Sequence, residues 1–303
     1  MIFKNWFLYS ILAIGLFSCL GSRKMQQVSG TLDHLGAQQI SEARQVAAID
    51  STGAAKLAEG KIDSNIDNRL RQRLTLMQHR LDSVHQQIDG LQKLVASKKS
   101  FRSSYKKEIV PEIAQLDTFY KKYDDRIKIY VMLKDGLDMA NYVLFDLAAF
   151  FGPGVYSIPA DKEALAEKSF LPLIDSLASF SNKYQQEPRT ATLVILGFAD
   201  GQSINPESGL QDTLVKMIGN TDTSKQALNQ KLSELRAREL IRQLALLFKK
   251  RESDFKNMDS LTVEYIGQGK GEAFPIPTIK DYKEDDERRR IVLCYWAVLP
   301  KMQ

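Results

Sequence analysis

Sulfur and imidazole are scarce in this chain of 303 residues: it has two cysteines and three histidines. That excludes a cysteine-rich zinc cluster and leaves little material for a histidine metal site. A strong excess of one charge is also missing, with 42 basic residues against 37 acidic ones and a net charge of +5. A nucleic-acid surface would need a concentrated basic stripe, and the overall balance does not supply one. With 44% hydrophobic and 26% charged residues, the chain is neither disordered nor a polytopic membrane protein. Its length is enough for two domains with a sizeable core.

The one long apolar run is at the start. Lys4 precedes Trp6 to Phe17, where Ser10 is the only polar residue. That length suits the apolar region of an export signal and is short for a bilayer span. The run ends Leu16-Phe17-Ser18-Cys19, which resembles the lipobox of bacterial lipoproteins. The resemblance implies cleavage after residue 18, a diacylglycerol thioether on Cys19, and an outer-membrane lipoprotein carrying palmitate-type chains. An ordinary cleaved signal or a short membrane anchor is the alternative. Some lipoproteins that are flipped to the cell surface carry acidic residues just after the cysteine; none follow Cys19 here, so the same resemblance implies the periplasmic face. Cys294 lies in the strand-like run Ile291 to Trp296 and reads as a buried, inert thiol.

Residues 19–60, rich in Ala, Gly, Gln and Ser, read as a tether with some helix from Ser41 to Leu57. Leu70, Leu74, Met77, Leu81, Val84, Ile88, Leu91 and Val95 then step by four and three, a heptad seam. Ser97 to Ser104 reads as a turn, and Ile113, Leu116, Tyr120, Tyr123, Ile127 and Tyr130 mark a second helical stripe. Residues 61–139 are therefore expected to form a helical hairpin, whose seam could pack on itself or on another chain. His79 and His85 are six apart, so they do not share a helix face as a metal pair would. Lys98, Lys99, Arg102, Lys106 and Lys107 read as a solvated cap, or else as a contact for lipid head groups or an acidic partner.

From residue 140 to 303 strands and helices alternate. Strands are predicted at Tyr142–Phe145, Thr192–Leu196, Leu261–Tyr265 and Arg290–Val298, and helices along Phe170–Tyr184, 210–218 and 225–248. The expected fold class is α+β: a long helical hairpin followed by a two-layer mixed-sheet domain. Gly267-Gln268-Gly269-Lys270-Gly271 lacks the hydroxyl and the following helix of a phosphate loop, and reads as a turn between strands.

Three segments carry a family resemblance: Leu196-Gly197-Phe198-Ala199-Asp200-Gly201, Asn229 through Ala237, and Arg289-Arg290-Ile291. Together they resemble the OmpA-like peptidoglycan-binding domain, which also occurs in the peptidoglycan-associated lipoprotein. The resemblance implies that Asp200 and Arg236, with Asn229 and Phe145, hold the diamino-acid end of a peptidoglycan stem peptide. Such an end carries one ammonium and one carboxylate, which an aspartate and a planar guanidinium suit. The plainer alternative is an Asp200–Arg236 ion pair. Residues 201–228 form an insert between the two halves of this site, relative to the family. No cofactor, metal or catalytic residue is expected, because no nucleophile stands with a base. Tethering the outer membrane to the wall is the expected role. Serving as a scaffold subunit of a secretion or motility machine, through a protein-interaction module, is the alternative.

Overall fold

The computed structural model describes residues 22–146, 155–207, 209–219, 222–276 and 279–301. Cys19 and the Gly152-Pro153-Gly154 segment lie outside these. Helices α1 (Ser22–Ala58), α2 (Ser64–Val95), α3 (Lys98–Ser104), α4 (Val110–Tyr120) and α5 (Tyr123–Met139) precede strand β1 (Asn141–Asp146). Helix α6 (Glu163–Lys183), strand β2 (Arg189–Gly197), helices α7 (Gly209–Met217) and α8 (Lys225–Lys250), and strands β3 (Leu261–Gly269) and β4 (Ile291–Pro300) complete the fold. No helix among the described residues is long and apolar enough to cross a membrane. The α+β class with a long helical region is what the chain adopts.

Two compact units divide the chain: residues up to Arg44 with Gln78–Tyr123, and Gln45–Met77 with Asp124 onward. In the first unit the seam of α2 is buried as its spacing predicts, from Leu81 and Val84 to Leu91 and Val95. Its partners include Leu32 and Leu35 of α1 as well as Phe101, Ile109 and Leu116 further on. The segment read as a tether is thus a 37-residue helix. Its buried positions Leu32, Leu35, Gln39, Glu42, Val46 and Ile49 step by three and four, but Gln39 and Glu42 interrupt the apolar pattern. Gln39 is accommodated by donating from Nε2 to the Leu81 carbonyl at 3.4 Å. Gly60 at φ +67° ends α1, a left-handed position that favours glycine. Asp63 then caps α2 by accepting from the backbone N–H groups of Asn65 and Ile66.

The predicted turn at Ser97–Ser104 is also helical. Ser97 is an N-cap whose Oγ accepts from Ser100 N at 3.1 Å, so the reversal is confined to the residues just before α3. A π-helical turn, Tyr105–Ile109, leads into α4 just before Pro111. Proline lacks an N–H, and a wider turn accommodates the missing bond. Gly30 of α1 has open space where a Cβ would project. Gly30→Ala should therefore stabilise this unit by about 0.5–1 kcal/mol, read as a higher midpoint in denaturant followed by circular dichroism.

The second unit is built on a four-stranded sheet in the order β1-β4-β2-β3, with β2 and β3 parallel and the other pairs antiparallel. Strand β2 is buried at every position. Alternate residues point to opposite faces, so both faces must be covered. One carries Leu193, Ile195, Cys294 and Trp296 against α6 and α8. Across the other lies α2, where Arg69 Nη1 reaches Glu264 Oε2 at 2.5 Å and Arg73 Nε donates to the Pro300 carbonyl at 2.9 Å. Residues 45–77 therefore add a helical layer to the two expected from the sequence. Cys294 is fully buried, and burial pushes its thiol up to about 12, as its apolar run predicts.

Candidate ligand-binding site

The end of β2 and the first turns of α8 are held unusually close. A Cβ on Gly197 would collide with the Ser233 carbonyl, and one on Gly269 would come within 2.5 Å of Ser233 Oγ and 2.6 Å of Glu234 N. Glycine at these two positions lets the helix backbone lie directly on the strand ends. Ser233 uses the proximity: its Oγ accepts from Gly271 N at 2.9 Å and donates to the Gln230 carbonyl at 2.7 Å. Gly267 and Gly269 are thus strand residues, paired in register with Ile195 and Gly197. The turn expected across 267–271 is confined to its end, where Gly271 has φ +53°.

This packing puts Asn229, Ser233 and Arg236, a buried polar stripe of α8, beside the loop that follows β2. Asn229 Nδ2 lies within hydrogen-bond distance of the Asp200 and Gln202 carbonyls, at 3.2 and 3.0 Å, and of Glu272 Oε1 at 2.8 Å. It ties the loop in place. Asp200 is brought to the same spot, but its ion pair is not with Arg236. Arg290, just before β4, approaches Asp200 Oδ2 at 2.7 Å through both Nε and Nη2, and Nη2 also donates to Gln202 Oε1 at 3.1 Å.

Arg236 is left with little. It is 5% exposed, its Nη1 meets the Phe198 carbonyl at 3.5 Å, and its Nε has no hydrogen-bond partner among the described residues. Burial pushes its pKa down to about 10, with the Arg290 charge acting the same way and the Asp200 charge opposing. The group remains cationic at neutral pH. A buried guanidinium with an unsatisfied donor is a costly feature unless something acidic completes it.

The surrounding loops are stapled down by further cations. Lys225 Nζ donates to the Gly201 carbonyl at 2.8 Å and to Glu284 Oε1 at 2.5 Å. Arg289 donates to the carbonyls of Lys283, Glu284 and Glu272, and its guanidinium sits 4.9 Å from the Phe274 ring centre. The insert packs α7 through Leu210 and Leu214 against Leu228 and Leu232, the flank of α8 next to the polar stripe.

Asp200, Asn229 and Arg236 thus come together, and Phe145 does not join them. Its ring is 2% exposed in the core, edge-on to Phe170 at 4.7 Å. Its alternation in β1 points it to the α6 face, so it is a packing residue. Arg290, part of the Arg289-Arg290-Ile291 segment but not placed in the site from the sequence, is the partner of Asp200. Its signal was an arginine directly before a strand antiparallel to β2, which the register carries back to the Asp200 loop.

Fold and site together define an α+β domain with an acid, two arginines and an amide gathered at one end of a mixed sheet. No family model matches the sequence, and no curated protein does. Among solved structures, a MotB-like protein of Desulfovibrio vulgaris is 14% identical, with a TM-score of 0.28, over 61% of this chain and 98% of that one. The periplasmic domain of Helicobacter pylori MotB is 15% identical, with a TM-score of 0.26, over 53% and 75%. At these values neither likeness bears on function, which has to be argued from the site.

Proposed function

We propose that the C-terminal domain is a non-catalytic receptor for the zwitterionic diamino-acid end of a peptidoglycan stem peptide. In the same reading, acyl chains on Cys19 hold the chain to the periplasmic face of the outer membrane. The observation that carries the binding role is Arg236, buried, cationic and with an Nε that has no hydrogen-bond partner among the described residues, beside an aspartate that pairs with Arg290 instead. A ligand carboxylate would complete the Arg236 fork, and its ammonium would be attracted to Asp200. Both attractions strengthen in a site shielded from water.

Purified sacculi provide the test. The protein should sediment with them and be released by free diaminopimelate. Asp200→Asn, which keeps the shape and removes the charge, should weaken the association at least about thirtyfold. Undiminished binding by this variant, together with indifference to the competitor, would refute the assignment. Palmitate labelling that is lost in Cys19→Ala checks the anchor separately.

A further inference from the structure

The start of α1 and the end of α2 meet in the first unit. Ser29, Leu32 and Asp33 line a small depression with Gln92, Val95 and Ala96. Met25 and Val28 pack with the same cluster as Phe101 and Tyr105. The start of α1, the end of α2, α3 and the π-helical turn thus share one hydrophobic cluster. These elements carry cations far apart in sequence: Arg23 and Lys24 from α1, Lys93 from the end of α2, and Lys98, Lys99, Arg102, Lys106 and Lys107 beyond it. All are exposed except Lys24, which is half-buried.

Residues 22–32 and 93–107 contain no acidic side chain to offset these eight charges. Of the flanking acids, Asp33 accepts from Gln92 Nε2 at 3.4 Å, Glu108 from Ser104 Oγ at 3.1 Å, and Asp89 lies 3.8 Å from His85 Nε2. Charge concentrated in this way is costly to the isolated protein and is relieved by an anionic surface.

The chain itself indicates which surface. Two residues lie between Cys19 and Ser22, a reach of no more than about 11 Å over three residue steps, and the apolar run ends at Phe17, two positions before Cys19. Whatever holds that run or its cysteine in a bilayer holds the patch at the head groups. We infer that this face is an anionic-phospholipid contact that lays the helical unit on the membrane. The inference rests on the anchoring part of the function proposed above, and goes beyond it by assigning the patch. Several basic residues within a Debye length of a negative leaflet multiply the partitioning, each by several-fold.

Lysine footprinting of the full-length protein tests this. Acetylation of Lys98, Lys99, Lys106 and Lys107 would be followed by mass spectrometry, with exposed Lys249 of the other unit as reference. Vesicles of phosphatidylcholine alone would be compared with vesicles that also contain phosphatidylglycerol. The four lysines should react at least about fivefold more slowly on the anionic vesicles, and recover in about 1 M NaCl, where the Debye length is about 3 Å. With Lys98→Glu, Lys99→Glu, Lys106→Glu and Lys107→Glu combined, the remaining Lys24 and Lys93 should lose their protection. Equal reactivity on both vesicle types, or protection that survives salt, would overturn the inference, and an acidic protein partner would then be the better reading of the patch. Flotation with pure phosphatidylcholine vesicles reports the anchor independently. Protection on anionic vesicles without such flotation would sustain the patch and remove the lipid on Cys19.

Discussion

Arg236→Met should make the protein more stable while removing its grip on peptidoglycan. The guanidinium is buried, its Nε has no hydrogen-bond partner among the described residues, and burial holds its pKa down near 10. Because that value lies below the unfolded one, the unfolded state takes up the proton more readily, and stability climbs only as pH rises past about 10. At neutral pH the full burial penalty is therefore present. Methionine fills similar space without a charge, so the variant should gain about 1–2 kcal/mol, seen as a Tm several degrees higher. Sedimentation with sacculi should fall at least about thirtyfold, because the carboxylate's partner has gone. Arg236→Lys should lose nearly as much binding, since a point charge cannot reproduce the fork. A less stable Arg236→Met variant that still binds would show the arginine to be structural.

The largest loss of stability is expected from a single methyl group. Gly197→Ala would drive a Cβ into the Ser233 carbonyl and to 3.3 Å from Ala237 N, all of it helix backbone. Backbone cannot swing aside as a side chain can, so α8 must move off β2. The cost should be about 3 kcal/mol, with loss of sacculus binding as Asn229 and Arg236 shift away from the Asp200 loop. Gly209→Ala, at a helix glycine with open space around it, is the matched control and should leave both unchanged. Equal behaviour of the two variants in thermal melts would show that the close approach is not what positions the site.

The strands of the second unit are legible as short apolar runs or as polar–apolar alternation, and β2 is also bounded by Pro188 and Gly197. The α2 seam was legible because its spacing never falters. Helix α1 was not, since Gln39 and Glu42 occupy its buried stripe and its alanines and glutamines, good helix formers, look like linker composition. The second covered face of the sheet was equally hidden. Continuous burial of β2 reads in sequence only as an apolar run, and says nothing about which helices supply the cover. In the site, Asp200, Asn229 and Arg236 came from local motifs. The pairing of Asp200 with Arg290 is made by strand register over 90 positions, which no local pattern encodes. Phe145 was misassigned because a strand's alternation gives two faces without saying which one looks toward a ligand.

Strand β4 follows the other three strands in sequence, yet it lies second in the sheet, between β1 and β2. Until residues 291–300 have emerged, β1 has no neighbour and β2 has only β3. A chain delivered N-terminus first, through a ribosome or a translocation channel, thus keeps this sheet open until β4 has emerged. Closure over such sequence distances is slow, and unpaired strand edges invite association meanwhile. The topology therefore couples the emergence of β4 to formation of the Asp200–Arg290 pair. A product ending before residue 290 would lack both the strand that joins β1 to β2 and the arginine that pairs with Asp200.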